Sequence, residues 1–271
     1  MNHGNGREDS VAIPAPGTAL MVDLRNFTHQ LDAAATPEAL QEFCTRLAAF
    51  YAMCREAAYA ASPVGACHLT STGDGMLAVF HGARHAQEAF LCTLILRLAI
   101  PRVFPLKEDA SGTLVASFGI GVESGDICRV MSGGRATYIG QCINMASRVE
   151  AITKNLDSAD CIVGEKLVGL LYNALLREDF AAMSEQAIGG AEDREHLNLL
   201  SRFSQANHTL CLNFLHYHRL KGVDRPIALH GISKRAGLIG NPRFDALLET
   251  LCSEPEHHAA LRRWLLKNVQ R

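Results

Sequence analysis

Asp23 closes the apolar run "TALMVD", and Asp74 lies in "TGDG" between the short runs "CHLTS" and "MLAVF". A carboxylate at a strand end can cap the helix that follows, and one in a turn can simply favour the turn. If the first strand pairs with the hairpin, however, the two acids meet, and carboxylates in contact repel unless a positive group lies between them. A divalent metal suits that place, because Mg²⁺ and Mn²⁺ take hard oxygen ligands and complete their shells with water and substrate phosphates.

Asn144 and Arg148 add a complementary chemistry. They stand in "YIGQCINMASRVEAIT", one helical turn apart and therefore facing the same way. The guanidinium is a permanently charged planar fork suited to phosphate, and the amide is a neutral hydrogen-bonding group beside it. A helix start at Phe27 and Thr28 would add backbone N–H groups for phosphates. Two acids, two metal ions and an arginine make a phosphoryl-transfer set: one ion lowers the pKa of an attacking hydroxyl while the other neutralises a polyphosphate leaving group.

These residues need a scaffold, and hydrophobic periodicity predicts one. A strand over residues 18 to 23 leads into a long helix reaching about residue 60, with Leu40, Phe43, Leu47, Phe50 and Met53 among its apolar positions. The hairpin carrying Asp74 follows, then a helix from about Arg84 to Leu98 closed off by Pro101. "TLVASFGIGVESG" predicts a strand ending at Gly125, and a further strand pair flanks "SGGRA". Ile143, Ala146, Val149 and Ile152 form one stripe of the helix entered at Gly140. "DCIVGEKLVGLL" reads as a short strand and helix, residues 177 to 207 as polar helix or loop, and "TLCLNFLHYHRLKGVDRPIALHGI" as two strands joined by a turn with Gly222 and Pro226. The fold class expected is α+β, a mainly antiparallel sheet covered by helices.

Composition removes other classes. The chain of 271 residues is 48% apolar with a formal charge of -2, and it has no basic tract for polyanion binding, so nucleic acid is not an expected partner. No apolar stretch reaches the roughly 20 residues of a membrane helix, and the start lacks an export signal, so a cytoplasmic location away from membranes is expected. The nine cysteines are scattered without a Cys-x-x-Cys pair and read as reduced, mostly buried thiols. His216/His218 and His257/His258 do not have zinc-ligand spacing.

In the order in which they occur, five segments resemble the class III nucleotidyl cyclases: "MVDLRNFT" the first metal-binding segment, "STGDGMLAVF" the second, "GIGVESGDI" the glycine-rich central strand, "YIGQCINMASRVEAIT" the helix with the transition-state asparagine and arginine, and "LKGVDRPIALHGI" the closing hairpin. The resemblance covers roughly residues 18 to 233 as a catalytic domain, leaving 1 to 17 as a flexible tail and 234 to 271 as a C-terminal helical appendage. It implies that Asp23, Asp74 and the Leu24 carbonyl bind two Mn²⁺ or Mg²⁺ ions and that Phe27 and Thr28 line the triphosphate. It further implies that Asn144 orients the ribose and that Arg148 stabilises charge at the α-phosphate of a nucleoside triphosphate. Sites shared between the chains of a head-to-tail homodimer are also implied.

The positions that correspond to base recognition hold Thr70 and Thr137, where adenylate cyclases usually have lysine and Asp or Thr, and guanylate cyclases Glu and Cys. Thr70 also reads as an ordinary strand residue. Arg135 and Lys154 are candidates for the missing terminal-phosphate lysine. The compact organisation without a sensor or membrane module, the unusual base positions and the C-terminal helical segment resemble the pyrimidine cyclases of bacterial Pycsar antiphage systems. That implies UTP as substrate and cyclic UMP as a second messenger for a separate cyclic-nucleotide-activated effector protein. CTP or ATP are the alternative substrates; a catalytically silent nucleotide-binding domain is the alternative of another class.

Overall fold

In the computed structural model, residues 13–105, 107–108, 114–115, 117–132, 135–156, 159–176, 212–232, 242–252 and 254–269 are described, so the polar stretch 177–207 lies outside the described residues. The first strand, β1 (Ala15–Leu24), starts inside the segment expected to be a tail, because Ala15 to Gly17 pair with residues of a later strand. Its run of apolar residues reflects cover on both faces: Leu20, Val22 and Leu24 enter one core while Ala19 and Met21 enter another.

The single long helix expected next is two, α1 (Phe27–Ala33) and α2 (Pro37–Ala61). Pro37 disfavours helix in the residue before it and suits the first helical position, and the Thr36 side chain accepts from the Ala39 N–H to cap α2. Phe43 and Phe50 are buried as expected, but Leu40 is 42% exposed. The hairpin of β2 (Cys67–Ser71) and β3 (Gly75–His81) and the helix α3 (His85–Ala99) fall where the sequence placed them. A minor pair, β4 (Lys107–Glu108) and β5 (Leu114–Val115), precedes β6 (Phe118–Ser132). β6 runs unbroken through Gly125, merging the expected central strand with the first strand of the next pair, and it turns into β7 (Arg135–Ile139).

Then come α4 (Gln141–Ile152), β8 (Cys161–Gly164), α5 (Glu165–Leu171), β9 (Leu212–His218), β10 (Ile227–Ile232), α6 (Pro242–Leu251) and α7 (Pro255–Asn268). The main sheet has the order β2-β3-β1-β6-β8-β10-β9, with β7 paired to β6 off that path. All its pairings are antiparallel except β6 with β8. Helix α4 lies on the face of Ala19, Val79 and Ile127, while the larger core fills the other face beneath α2 and α3.

The two C-terminal helices join this larger core through Phe244, Leu247, Leu248, Leu251, Leu261 and Leu265. Arg84 donates to the Leu251 carbonyl at 2.7 Å, and the His257 Nε2–H donates to the Ala60 carbonyl at 2.6 Å. All eight described cysteines are unpaired, and five of them are buried. Among the described residues no helix is long and apolar enough to cross a membrane.

Candidate active site

Asp23 ends β1 opposite Gly75, and the Leu24 N–H donates to the Asp74 carbonyl at 2.9 Å, so the strand end and the hairpin turn are stitched together. The Tyr51 hydroxyl, from α2, donates to the Gly73 carbonyl and pins the same turn. Asp23 does not cap α1: the cap position is Asn26, in the left-handed region at φ 57° and with no side-chain cap bond. Burial raises the Asp23 pKa, the nearby Asp74 charge adds to that rise, and Lys154 opposes it. The two acids singled out from the sequence therefore meet, in the manner the paired strand and hairpin require.

Strand alternation places Asp23 on the face of Ala19 and Met21, the face covered by α4. The helix approaches so closely because β6 has no side chain at Gly121, where a Cβ would stand 2.2 Å from both the Ala146 carbonyl oxygen and the Glu150 nitrogen. Glu150 and the residues just beyond α4 consequently reach the acidic pair. Lys154 Nζ donates to Asp23 Oδ2 at 2.8 Å and stands 3.7 Å from Glu150 Oε2. Glu150 is buried, its pKa is pushed up to about 7 mainly by desolvation, and its Oε1 has no hydrogen-bond partner. The hydrogen bond to Asp23 raises the Lys154 pKa.

Sequence reasoning missed Glu150 altogether and gave Lys154 a different task, that of a terminal-phosphate ligand. The available signal was their i,i+4 spacing across the C-terminal end of the helix of Asn144 and Arg148. The Arg135 side chain, the other phosphate candidate, lies outside what the structure describes.

A hard divalent cation fits the acidic pair. Among the described residues no group of three or more His, Cys, Asp or Glu side chains forms a metal site, but Mg²⁺ and Mn²⁺ are commonly held by one or two carboxylates completed by water and substrate phosphate. Phe27 is not free for a ligand through its ring, which packs edge-on against Phe43 with centroids 5.3 Å apart; Thr28, one residue into α1, is exposed.

Asn144 is exposed and Arg148 half-buried, with the guanidinium beside the Gly222 turn, where a Cβ would lie 3.5 Å from Nη1. Two residues along a helix turn the side chain through about 200°, so Arg148 faces away from Glu150 and the acidic pair. Within one chain the acidic pair and the Asn144/Arg148 pair thus occupy opposite sides of α4.

The two base-position threonines are exposed and do not share a face. Thr70 lies on the side of His68, to which it is hydrogen-bonded at 3.3 Å, and His68 packs on Tyr138 with centroids 5.1 Å apart. Thr137, next to Tyr138 on β7, alternates to the other side. Tyr138 also stacks on His81, and this aromatic group borders a cleft of about 480 Å³ with Cys67 and Arg129.

No family model and no curated protein matches this sequence. The fold does match solved structures. The adenylyl cyclase CyaB from P. aeruginosa superposes with a TM-score of 0.53 at 16% identity, over 83% of this chain and 97% of that one. Two structures of bacterial light-regulated adenylyl cyclase superpose with TM-scores of 0.52 and 0.51, both at 15% identity, over 94% and 89% of this chain. The chain spans 59% of the length of each of those two proteins. The mixed sheet with its helices is thus the fold of these adenylyl cyclases.

Proposed function

We propose that this chain is a metal-dependent nucleotidyl cyclase, a lyase that converts a nucleoside triphosphate to its 3′,5′-cyclic monophosphate and pyrophosphate. The observation that carries this reading is the meeting of Asp23 and Asp74 at the end of β1, on a cyclase fold whose α4 presents Asn144 and Arg148 on its other side. Bound at the acidic pair, two Mn²⁺ or Mg²⁺ ions would make the 3′-hydroxyl more acidic and neutralise the departing pyrophosphate. Asp23, Asp74 and the Leu24 carbonyl would hold them. Asn144 orients the ribose, and the start of α1 at Phe27 and Thr28 lies along the triphosphate. Arg148 stabilises negative charge while the O3′–Pα bond forms, the hydroxyl loses its proton and the bond to pyrophosphate breaks.

Because the two halves face opposite ways on one chain, a head-to-tail homodimer would join the acidic half of each protomer to the Asn144/Arg148 half of its partner. The base we propose is uracil. Thr70 and Thr137 bring neither the lysine of adenylate cyclases nor the glutamate of guanylate cyclases, and the base assignment follows the sequence resemblance to pyrimidine cyclases. Cyclic UMP would then act on a separate effector protein in antiphage defence.

The test is incubation of the purified dimer with ATP, GTP, CTP and UTP in competition, with Mn²⁺, and mass analysis of the products. Cyclic UMP is expected to dominate; cyclic CMP or cyclic AMP would replace the base assignment and leave the cyclase reading intact. Absence of every cyclic product, from dimers that bind Mn²⁺, would overturn it in favour of a silent nucleotide-binding domain.

A further inference from the structure

Lys154 occupies a place that the proposed chemistry needs for a cation. Its Nζ is 2.8 Å from Asp23 Oδ2 and 3.7 Å from Glu150 Oε2, so it pairs with Asp23 from within the same chain. The backbone that carries it is fixed: Arg25 Nη2 donates to the Thr153 carbonyl, and the Thr153 hydroxyl donates to the Glu150 carbonyl at 2.6 Å. The side chain itself is 48% exposed. A flexible four-carbon stem on a held backbone can pivot without disturbing the fold.

Glu150 gives that pivot an end point. Only 4% of it is exposed, and Oε1 is buried without a partner in the space left where Gly119 has no Cβ, a space in which a Cβ would lie 2.6 Å from that oxygen. A buried carboxylate oxygen without a hydrogen bond is costly. An ammonium displaced from Asp23 has its next acceptor in this carboxylate, whose Oε2 already lies 3.7 Å away, one helical turn back along the chain.

We infer that Lys154 holds Asp23 in the metal-free protein and competes with the incoming divalent cation for it, and that Glu150 receives the displaced ammonium. Lys154 is thus a positioning residue that sets the affinity and selectivity of the acidic pair for metal. The inference rests on the proposed metal role of Asp23, and the experiment separates the two.

Mn²⁺ is titrated into the full-length protein without nucleotide, and free Mn²⁺ is read by electron paramagnetic resonance. Asp23→Asn is expected to abolish site binding. Lys154→Met should tighten Mn²⁺ binding roughly tenfold, because a unit positive charge a few ångströms from the ion is removed. Lys154→Arg, which keeps the charge, should stay within about threefold of wild type, and Glu150→Gln should weaken binding about threefold by taking the displaced ammonium's charged acceptor.

The melting midpoint of metal-free Lys154→Met should fall, and its rise on adding Mn²⁺ should exceed that of wild type. Unchanged or weaker Mn²⁺ binding in Lys154→Met, with Asp23→Asn inactive in binding, would overturn the inference while leaving the metal role of Asp23 standing. Wild-type Mn²⁺ affinity in Asp23→Asn would break the metal role itself. If Lys154→Met does not fold, Lys154→Gln carries the same expectation. Loss of nucleotide affinity at unchanged Mn²⁺ affinity would identify Lys154 as a phosphate ligand and also overturn the inference.

Discussion

The two sides of α4 are built in opposite ways. Toward the sheet, Asp23, Asp74, Glu150 and Lys154 form a charge cluster in which one ammonium offsets part of the carboxylate repulsion. On the outward side, Asn144 is exposed and Arg148 rests on a turn. One side is more buried and gathers its charges at short range, and the other is more open. Under the function proposed above, the more buried side would hold metal and the open side would meet substrate across two chains.

The largest expected effect splits the two sides. Asp23→Ala or Asp74→Ala should lower cyclase turnover at least about 10³-fold through loss of metal ligation. Arg148→Ala should cost roughly 10²- to 10³-fold yet leave Mn²⁺ binding unchanged; Mn²⁺ titration beside product assay checks the pair. Mixing Asp23→Ala chains with Arg148→Ala chains should restore about one quarter of wild-type activity, because half the dimers are mixed and each has one intact site. No recovery, with mixed dimers present, would end the shared-site proposal.

Disturbing the helix that both sides share should harm both. Gly121→Ala places a methyl group against the α4 backbone and should destabilise the fold by about 3 kcal/mol, measured by urea unfolding. The next effect should touch neither side. Glu123 on β6 is buried, its pKa pushed up to about 7 by desolvation, although it accepts from the Ser124 and Leu167 N–H groups. The folded protein therefore binds a proton at Glu123 that the unfolded chain releases above its ordinary carboxyl range. This stability contribution is present at low pH and lost as pH rises toward 7. Glu123→Gln should accordingly gain stability relative to wild type between pH 5 and 8, by up to about 3 kcal/mol. The smallest effect belongs to the exposed base positions: Thr70→Ala should shift stability by less than about 0.5 kcal/mol while changing the ratio of cyclic products.

The same contrast explains what was legible in the sequence. The strand, hairpin and α4 could be read because apolar period and turn residues are local signals, and their order brought Asp23 to Asp74. The break at Pro37 was also local, and Thr36 before it was the cue that a single long helix overlooked. Three features depended on distant partners instead. β6 continues through Gly125 because β1 and then β7 pair along it, and the glycines meant to signal its end serve close packing. Glu150 looks like any surface helix charge until the fold places Gly119 and Asp23 beside it. Thr70 and Thr137 match in position but lie on different faces, a property of strand register that a motif does not encode.

The two C-terminal helices have a consequence for how the protein is made. Phe244, Leu247, Leu248, Leu251, Leu261 and Leu265 are buried with Phe50, Phe90 and Val22, residues synthesised much earlier. Chains fold from the N-terminal side as they emerge, but here α2 and α3, on which the C-terminal helices pack, cannot close their apolar surface until residues beyond 260 have left the ribosome. Both α2 and α3 must therefore wait with an apolar face uncovered. Slow translation of the segment before α6 would prolong that exposure, and the protein's yield should depend on chaperone supply at that stage of synthesis.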